Sequence, residues 1–142
     1  MSDCENSASC FNQNGESSFL STNISGKHMI VDLKGVRNLD LMSSVEGISQ
    51  ILDDVCKAHN YNVLARTGHA FSPIGATVLY LLSESHISIH TFPERGYAAV
   101  DIYTCKDMPD NSEYLDIHRS LVAAFDADLD DSPPLILNRS FV

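Results

Sequence analysis

Between Phe71 and Cys105 the chain gathers the side chains that can do chemistry: four serines, two histidines, a Pro-Glu break and a terminal cysteine, in FSPIGATVLYLLSESHISIHTFPERGYAAVDIYTC. Serine and cysteine offer nucleophiles, histidine a base near neutral pH, and glutamate a hydrogen-bond acceptor. Each residue also has a plainer reading. His86 and His90 are four apart on a strand and so share a face, a spacing compatible with a metal pair. No third histidine or carboxylate follows at an obvious spacing, so no metal is expected. Ser85 and His86 are adjacent and point to opposite faces of a strand, and no G-x-S-x-G elbow is present, which argues against a Ser-His hydrolase. Cys105 at a strand end reads on its own as a small buried hydrophobe.

The elements that must position these groups can be read from periodicity. Residues 1–25 are polar, rich in Ser and Asn and without a sustained period, and are expected to form a disordered extension to a domain spanning 26–142. Lys27–Leu33 reads as a first strand. Val45, Ile48, Ile51, Leu52, Val55 and Cys56 recur at helical spacing after the cap candidates Ser43 and Ser44, which predicts an amphipathic helix over 44–60. Tyr61–Ala65 reads as a strand, 69–75 as a turn, and Ala76–Leu82 and His86–Thr91 as two further strands. Pro93-Glu94-Arg95-Gly96 breaks the chain before a strand over Tyr97–Tyr103. Leu115, Ile117, Leu121, Val122 and Phe125 support a second helix over 110–125, capped by Asp110 or Asn111, and LILNRSF after two prolines a last strand. The expected fold is α+β: a two-layer sandwich, an antiparallel sheet with helices packed on one face.

Composition narrows the class of function. A chain of 142 residues fits one domain, able to bury roughly 68–70% of its surface without disulfide staples. A net charge of −10 argues against a nucleic-acid surface, and no apolar run nears the ~20 residues of a membrane helix. The start of the chain has no basic segment followed by an apolar one, so a cytoplasmic setting is expected. Cys4, Cys10, Cys56 and Cys105 form no CxxC pair and are expected to be free thiols.

Taken together, LLSESHISIHTFPERGYAAVDIYTC closely resembles the core signature of the prokaryotic-type S-adenosylmethionine decarboxylase proenzymes, and GKHMIVDLKG and FSPIGAT resemble that family's first strand and the turn before its cleavage strand. The likeness covers roughly residues 26–126. It implies spontaneous cleavage between Glu84 and Ser85, giving 1–84 (the β chain) and 85–142 (the α chain), with Ser85 becoming a pyruvoyl group that forms a Schiff base with the substrate amine. It implies that His90 is the processing base, Thr77 its support and Cys105 the proton donor in decarboxylation. Phe71 and Phe92 match rings that flank the adenine, Glu94 the carboxylate that accepts from the ribose hydroxyls, and Ile87 an apolar substrate contact. The family usually carries Trp where this sequence has Phe92. The implied activity is a carboxy-lyase that makes decarboxylated S-adenosylmethionine, the aminopropyl donor of spermidine and polyamine biosynthesis. The cofactor would be self-derived, with neither metal nor pyridoxal phosphate, and the assembly a homodimer whose active sites draw on both partners. The alternatives are a pyruvoyl-dependent arginine or ornithine decarboxylase on the same scaffold, or an uncleaved, non-catalytic homologue. Glu94 and the two aromatic rings favour a nucleoside-bearing substrate over a small amino acid.

Overall fold

The computed structural model describes residues 23–142. Six strands form one antiparallel sheet: β1 (Ile24–Leu33), β2 (Val63–Ala70), β3 (Ala76–Leu82), β4 (Ser85–Phe92), β5 (Tyr97–Thr104) and β6 (Pro134–Ser140), in the order β2-β3-β4-β5-β1-β6. Two helices, α1 (Val45–Ala58) and α2 (Ser112–Phe125), cover one face, α1 over β2 and β3 and α2 over β1 and β6. This is the α+β two-layer arrangement that the patterning predicts.

Both helices bury an apolar stripe. Ile48, Leu52, Val55 and Cys56 of α1 and Tyr114, Ile117, Leu121 and Phe125 of α2 meet Met29, Val31, Leu33, Val78, Tyr80, Ile89 and Ile102 from the inner face of the sheet. The Ser44 side chain accepts from the Gly47 amide and starts α1, the cap its sequence predicts. On α2 the stripe differs from the expectation at Leu115, which is exposed, while Tyr114 takes the buried place beside it.

Element edges differ from the expectation, most at β1 and β2. β1 begins at Ile24, so Ile24 and Ser25 belong to the sheet and not to the extension; residues 1–22 lie outside the described residues. β2 runs on to Ala70, through residues expected to turn, because its ladder with β3 continues to Ala70↔Ala76. Its sequence, VLARTGHA, lies at the sheet edge and is mostly exposed, so it carries no alternation to read. The turn is confined to 71–75, closed by the Phe71 amide donating to the Gly75 carbonyl and pinned to the 3-10 turn Leu41–Ser43 ahead of α1 by the Gly75 amide donating to Ser43 Oγ.

Among the described residues, no helix or loop covers the outer face of the sheet. Ile30, Leu79, Leu81, Phe92, Leu135 and Leu137 are exposed on it, interspersed with His28, His86, His90, Asp101 and Tyr103.

Candidate active site

The turn between β3 and β4 consists of two residues, Ser83 and Glu84, since Leu82 pairs with Ser85. It is buried, Glu84 being 3% exposed. The Ser83 amide donates to the Asn62 carbonyl, and the Asn62 amide donates back to Glu84 Oε1 at 2.9 Å. Ser83 Oγ donates to Glu84 Oε2 at 3.0 Å. Clamped in this way, the chain leaves the turn with Ser85 at φ = +140°, where a side chain is disfavoured at a cost on the order of 1–3 kcal/mol.

β5 ends beside this turn. Ser85 pairs with Thr104, and the amide of the next residue, Cys105, donates to the carbonyl oxygen of Glu84 at 2.8 Å. The end of β5 is itself fixed. Thr104 is buried and its hydroxyl meets Tyr114 OH at 2.9 Å; Tyr114 OH donates to the Lys27 carbonyl. Gly26 of β1 passes so close that a Cβ there would lie 2.2 Å from the Thr104 carbonyl oxygen, so only glycine fits. Beyond Cys105, Lys106 Nζ donates to the His59 carbonyl and to Glu113 Oε1. The Glu84–Ser85 peptide therefore carries backbone strain next to a hydroxyl and has a donor on its carbonyl. Those are the elements of an N-to-O acyl shift.

Cys105 departs from the expectation of a free thiol: it is disulfide-bonded. Cys56 is free and buried, as its place on the helical stripe predicts. Cys4 and Cys10 lie outside the described residues.

A second group of residues collects at the far end of the same hairpin. Thr77 pairs with His90 across β3 and β4, and Thr77 Oγ1 lies 3.0 Å from His90 Nδ1. Phe71, Ile74, Thr77, His90, Phe92 and Glu94 line a cavity of about 300 Å³, the lower end of the range for small-molecule sites. Phe71 rests edge-on against His69, centroids 4.7 Å apart, and Phe92 tilts against Tyr97 at 5.6 Å. The Tyr97 hydroxyl is held by Asp32 at 2.6 Å. Glu94 sits on the 3-10 turn Pro93–Arg95, which Gly96 closes at φ = +58°. Both residues are close to half exposed, Phe71 51% and Phe92 41%.

The two groups do not meet within one chain. Ser85 and His90 stand at opposite ends of β4, and five residues at ~3.3 Å each put them about 17 Å apart. Ile87 is also misplaced by the sequence reading. It is 0% exposed and faces the helices, so it is a core residue with no surface to offer a substrate. His28 and Asp101 are the groups that sequence reasoning missed. The register sets both beside His86: Asp101 Oδ2 lies 2.7 Å from His28 Nε2 and 2.8 Å from His86 Nε2. The third group sought near His86 comes from other strands and shows in no local spacing, though all three residues share the outward parity of their strands.

The family model for S-adenosylmethionine decarboxylase matches residues 27–129, well over half the chain, and so spans both groups. The chain belongs to the S-adenosylmethionine decarboxylase family. It is 48% identical over 85 residues to the S-adenosylmethionine decarboxylase proenzyme of Brevibacillus brevis, covering 60% of this chain and 63% of that one. A proenzyme of the same name from Methanococcus maripaludis is 37% identical over 112 residues, covering 68% and 91%. The crystal structure of the adenosylmethionine decarboxylase from Aquifex aeolicus superposes with a TM-score of 0.72 at 34% identity, over 84% of this chain and 94% of that one. The chain spans under two thirds of the length of the first curated relatives it matches, 63%, 59% and 59%. No helix among the described residues is long and apolar enough to cross a membrane.

Proposed function

We propose that this chain is a proenzyme that cuts itself between Glu84 and Ser85 and then decarboxylates S-adenosylmethionine, yielding the aminopropyl donor used in polyamine synthesis. The observation that carries the reading is the strained Ser85 beside a carbonyl already held by the Cys105 amide at 2.8 Å.

In self-cleavage, Ser85 Oγ attacks the Glu84 carbonyl carbon while the Cys105 N–H stabilises the oxygen as charge builds there. The carbon–nitrogen bond breaks, the nitrogen takes a proton, and an ester replaces the amide, which releases the backbone strain. A base then removes the Ser85 α-hydrogen. The electron pair forms a Cα=Cβ double bond, and Glu84 leaves as a carboxylate. Water hydrolyses the resulting dehydroalanine with loss of ammonia, and a ketone caps the new chain.

The base is His90 of the partner subunit, aligned by the partner's Thr77. Two observations support a dimer in which the outer sheet faces stack antiparallel. Six exposed apolar side chains lie on that face. The groups needed for cleavage stand about 17 Å apart within one chain. A two-fold axis across β4 would lay one protomer's Ser85 end on the other's His90 end.

In the mature form the pyruvoyl group supplies an electrophilic carbonyl that serves as an electron sink, which no ordinary side chain offers. The Ser85 environment suits it: a buried turn with an amide donor in place. Phe71 and Phe92 sandwich the adenine, Glu94 accepts from the ribose hydroxyls, and the Cys105 thiol delivers a proton to the substrate α-carbon. That step needs reduced Cys105, which a cytoplasmic setting favours.

Intact mass of the purified, incubated protein tests the reading. It should show residues 1–84 and a fragment of residues 85–142 lighter by one ammonia than the plain peptide. Carbon dioxide release should favour S-adenosylmethionine over arginine and ornithine. Recovery of full-length chain alone, or preference for either amino acid, would overturn it.

A further inference from the structure

One cluster of titratable side chains is left unused by the chemistry above. On the outer face of the sheet, Asp101 of β5 accepts from His28 of β1 at 2.7 Å and from His86 of β4 at 2.8 Å, both on Oδ2, while the Ser88 hydroxyl donates to Oδ1. On distance alone the two imidazoles and the carboxylate, with ligand atoms within 4.8 Å of one another, have the makings of a metal site.

The remaining ring nitrogen decides otherwise. His28 Nδ1 lies 3.1 Å from Arg139 Nη1, and a guanidinium can only donate, so Nδ1 is an acceptor and the ring proton is on Nε2, aimed at Asp101. A metal on Nε2 would leave Nδ1 protonated and facing a guanidinium. The cluster is therefore a hydrogen-bond hub. Asp101 stays ionised below the usual carboxylate range because these hydrogen bonds outweigh the opposing effect of its burial.

The place of the hub in the chain gives it a purpose, on the reading proposed above. Cleavage after Glu84 severs the turn that joins β3 to β4 and leaves residue 85 a chain start, and chain starts fray. His86 and Ser88 are the first two outward-facing residues of the new chain, and both are held by Asp101. His28 belongs to the other fragment, so the hub also ties the two fragments together. We propose that Asp101 is a positioning residue that, through His86 and Ser88, holds the start of the 85–142 chain where the carbonyl derived from Ser85 must meet substrate and Cys105.

The test uses matured full-length protein and the variants Asp101→Asn, His86→Asn and their combination, each read by intact mass, hydrogen exchange and steady-state kinetics. Asp101→Asn should still yield both fragments, since the clamp on Glu84 and the Cys105 amide are untouched. Amide exchange over 85–90 should rise about tenfold relative to 134–140. For S-adenosylmethionine, kcat should fall on the order of 10- to 100-fold with KM changed less than about twofold, and the double variant should be no worse than the poorer single one. A chelator should leave wild-type kcat unchanged. Matured Asp101→Asn with wild-type exchange and kcat, additive losses in the double variant, or loss of activity on chelation would each overturn the proposal. Should Asp101→Asn fail to mature, His86→Asn is judged on the same exchange and kinetic criteria. A wild-type protein that never yields the 85–142 fragment would instead sink the proenzyme reading itself.

Discussion

The amide of Cys105 donates to the carbonyl of Glu84 at 2.8 Å, twenty residues apart in sequence from the serine that follows that carbonyl. On the proposed reading one residue serves two steps through different atoms, its backbone N–H in self-cleavage and its thiol in decarboxylation. The two can be separated. Cys105→Ala keeps the N–H and should still cleave, while kcat for carbon dioxide release drops about 100-fold or more, in line with loss of a general acid. Cys105→Pro deletes the N–H and should accumulate as uncut chain, slowed by the 10²–10³-fold typical of a lost oxyanion donor. Gel analysis of the two variants over time reads cleavage, and a carbon dioxide assay of matured Cys105→Ala reads turnover; equal cleavage rates would remove the amide from the mechanism.

Much of this was legible in the sequence, and the illegible part has a common cause. The α1 stripe from Val45 to Cys56 and the alternation in SHISIHTF follow from local periods of 3.6 and 2, so the helix and strand they form appear where expected. That same alternation places Ile87 and Ile89 on the face opposite His86, Ser88 and His90, so the burial of Ile87 was readable and conflicts with its family-derived role. What no local pattern carries is register. Cys105 reaches Glu84 through the β4–β5 ladder, and His28 reaches Asp101 through β1–β5, pairings fixed only when six strands assemble. The 17 Å gap between Ser85 and His90 is likewise a consequence of both lying on one extended strand, which the signature string alone conceals.

That gap makes a sharp expectation for subunit mixing. Ser85→Ala cannot form the ketone, and His90→Ala lacks the base, so each variant alone should remain uncut. Co-expressed, a mixed dimer has one site that combines an intact Ser85 from one chain with an intact His90 from its partner. Cleavage of the His90→Ala chains, and of those alone, should return in the mixed dimers, with partial carbon dioxide release. Silence in the mixture would mean that His90 acts within its own chain or not at all.

Ile87 and Phe92 sit on one strand with opposite assignments. Ile87→Ala removes a wholly buried side chain and should cost about 2–5 kcal/mol in denaturant unfolding of the uncut Ser85→Ala background, with a lowered midpoint. Phe92→Ala removes a half-exposed ring from the cavity edge and should change that unfolding free energy by no more than ~0.5 kcal/mol. In the mature enzyme it should raise KM for S-adenosylmethionine roughly tenfold, as expected for one lost stacking partner. Phe92→Trp, with more stacking area, should lower KM. A KM effect from Ile87→Ala without a stability loss would return that residue to the substrate site.

Thiol chemistry should discriminate between the two described cysteines. Burial, aided by the negative charges of Asp53 and Glu84, pushes the Cys56 thiol up to about 11. Below that pH the group is neutral, and at pH 8 only about one molecule in a thousand carries the reactive thiolate. Native protein, reduced and treated with iodoacetamide at pH 8, should therefore keep Cys56 unmodified and lose turnover as Cys105 is alkylated. Raising the pH toward 11 should bring Cys56 labelling up about tenfold per unit, and unfolding should bring it to the rate of a free peptide at once. Peptide mass mapping across that series reads both sites, and rapid labelling of native Cys56 at pH 8 would contradict its place in the core.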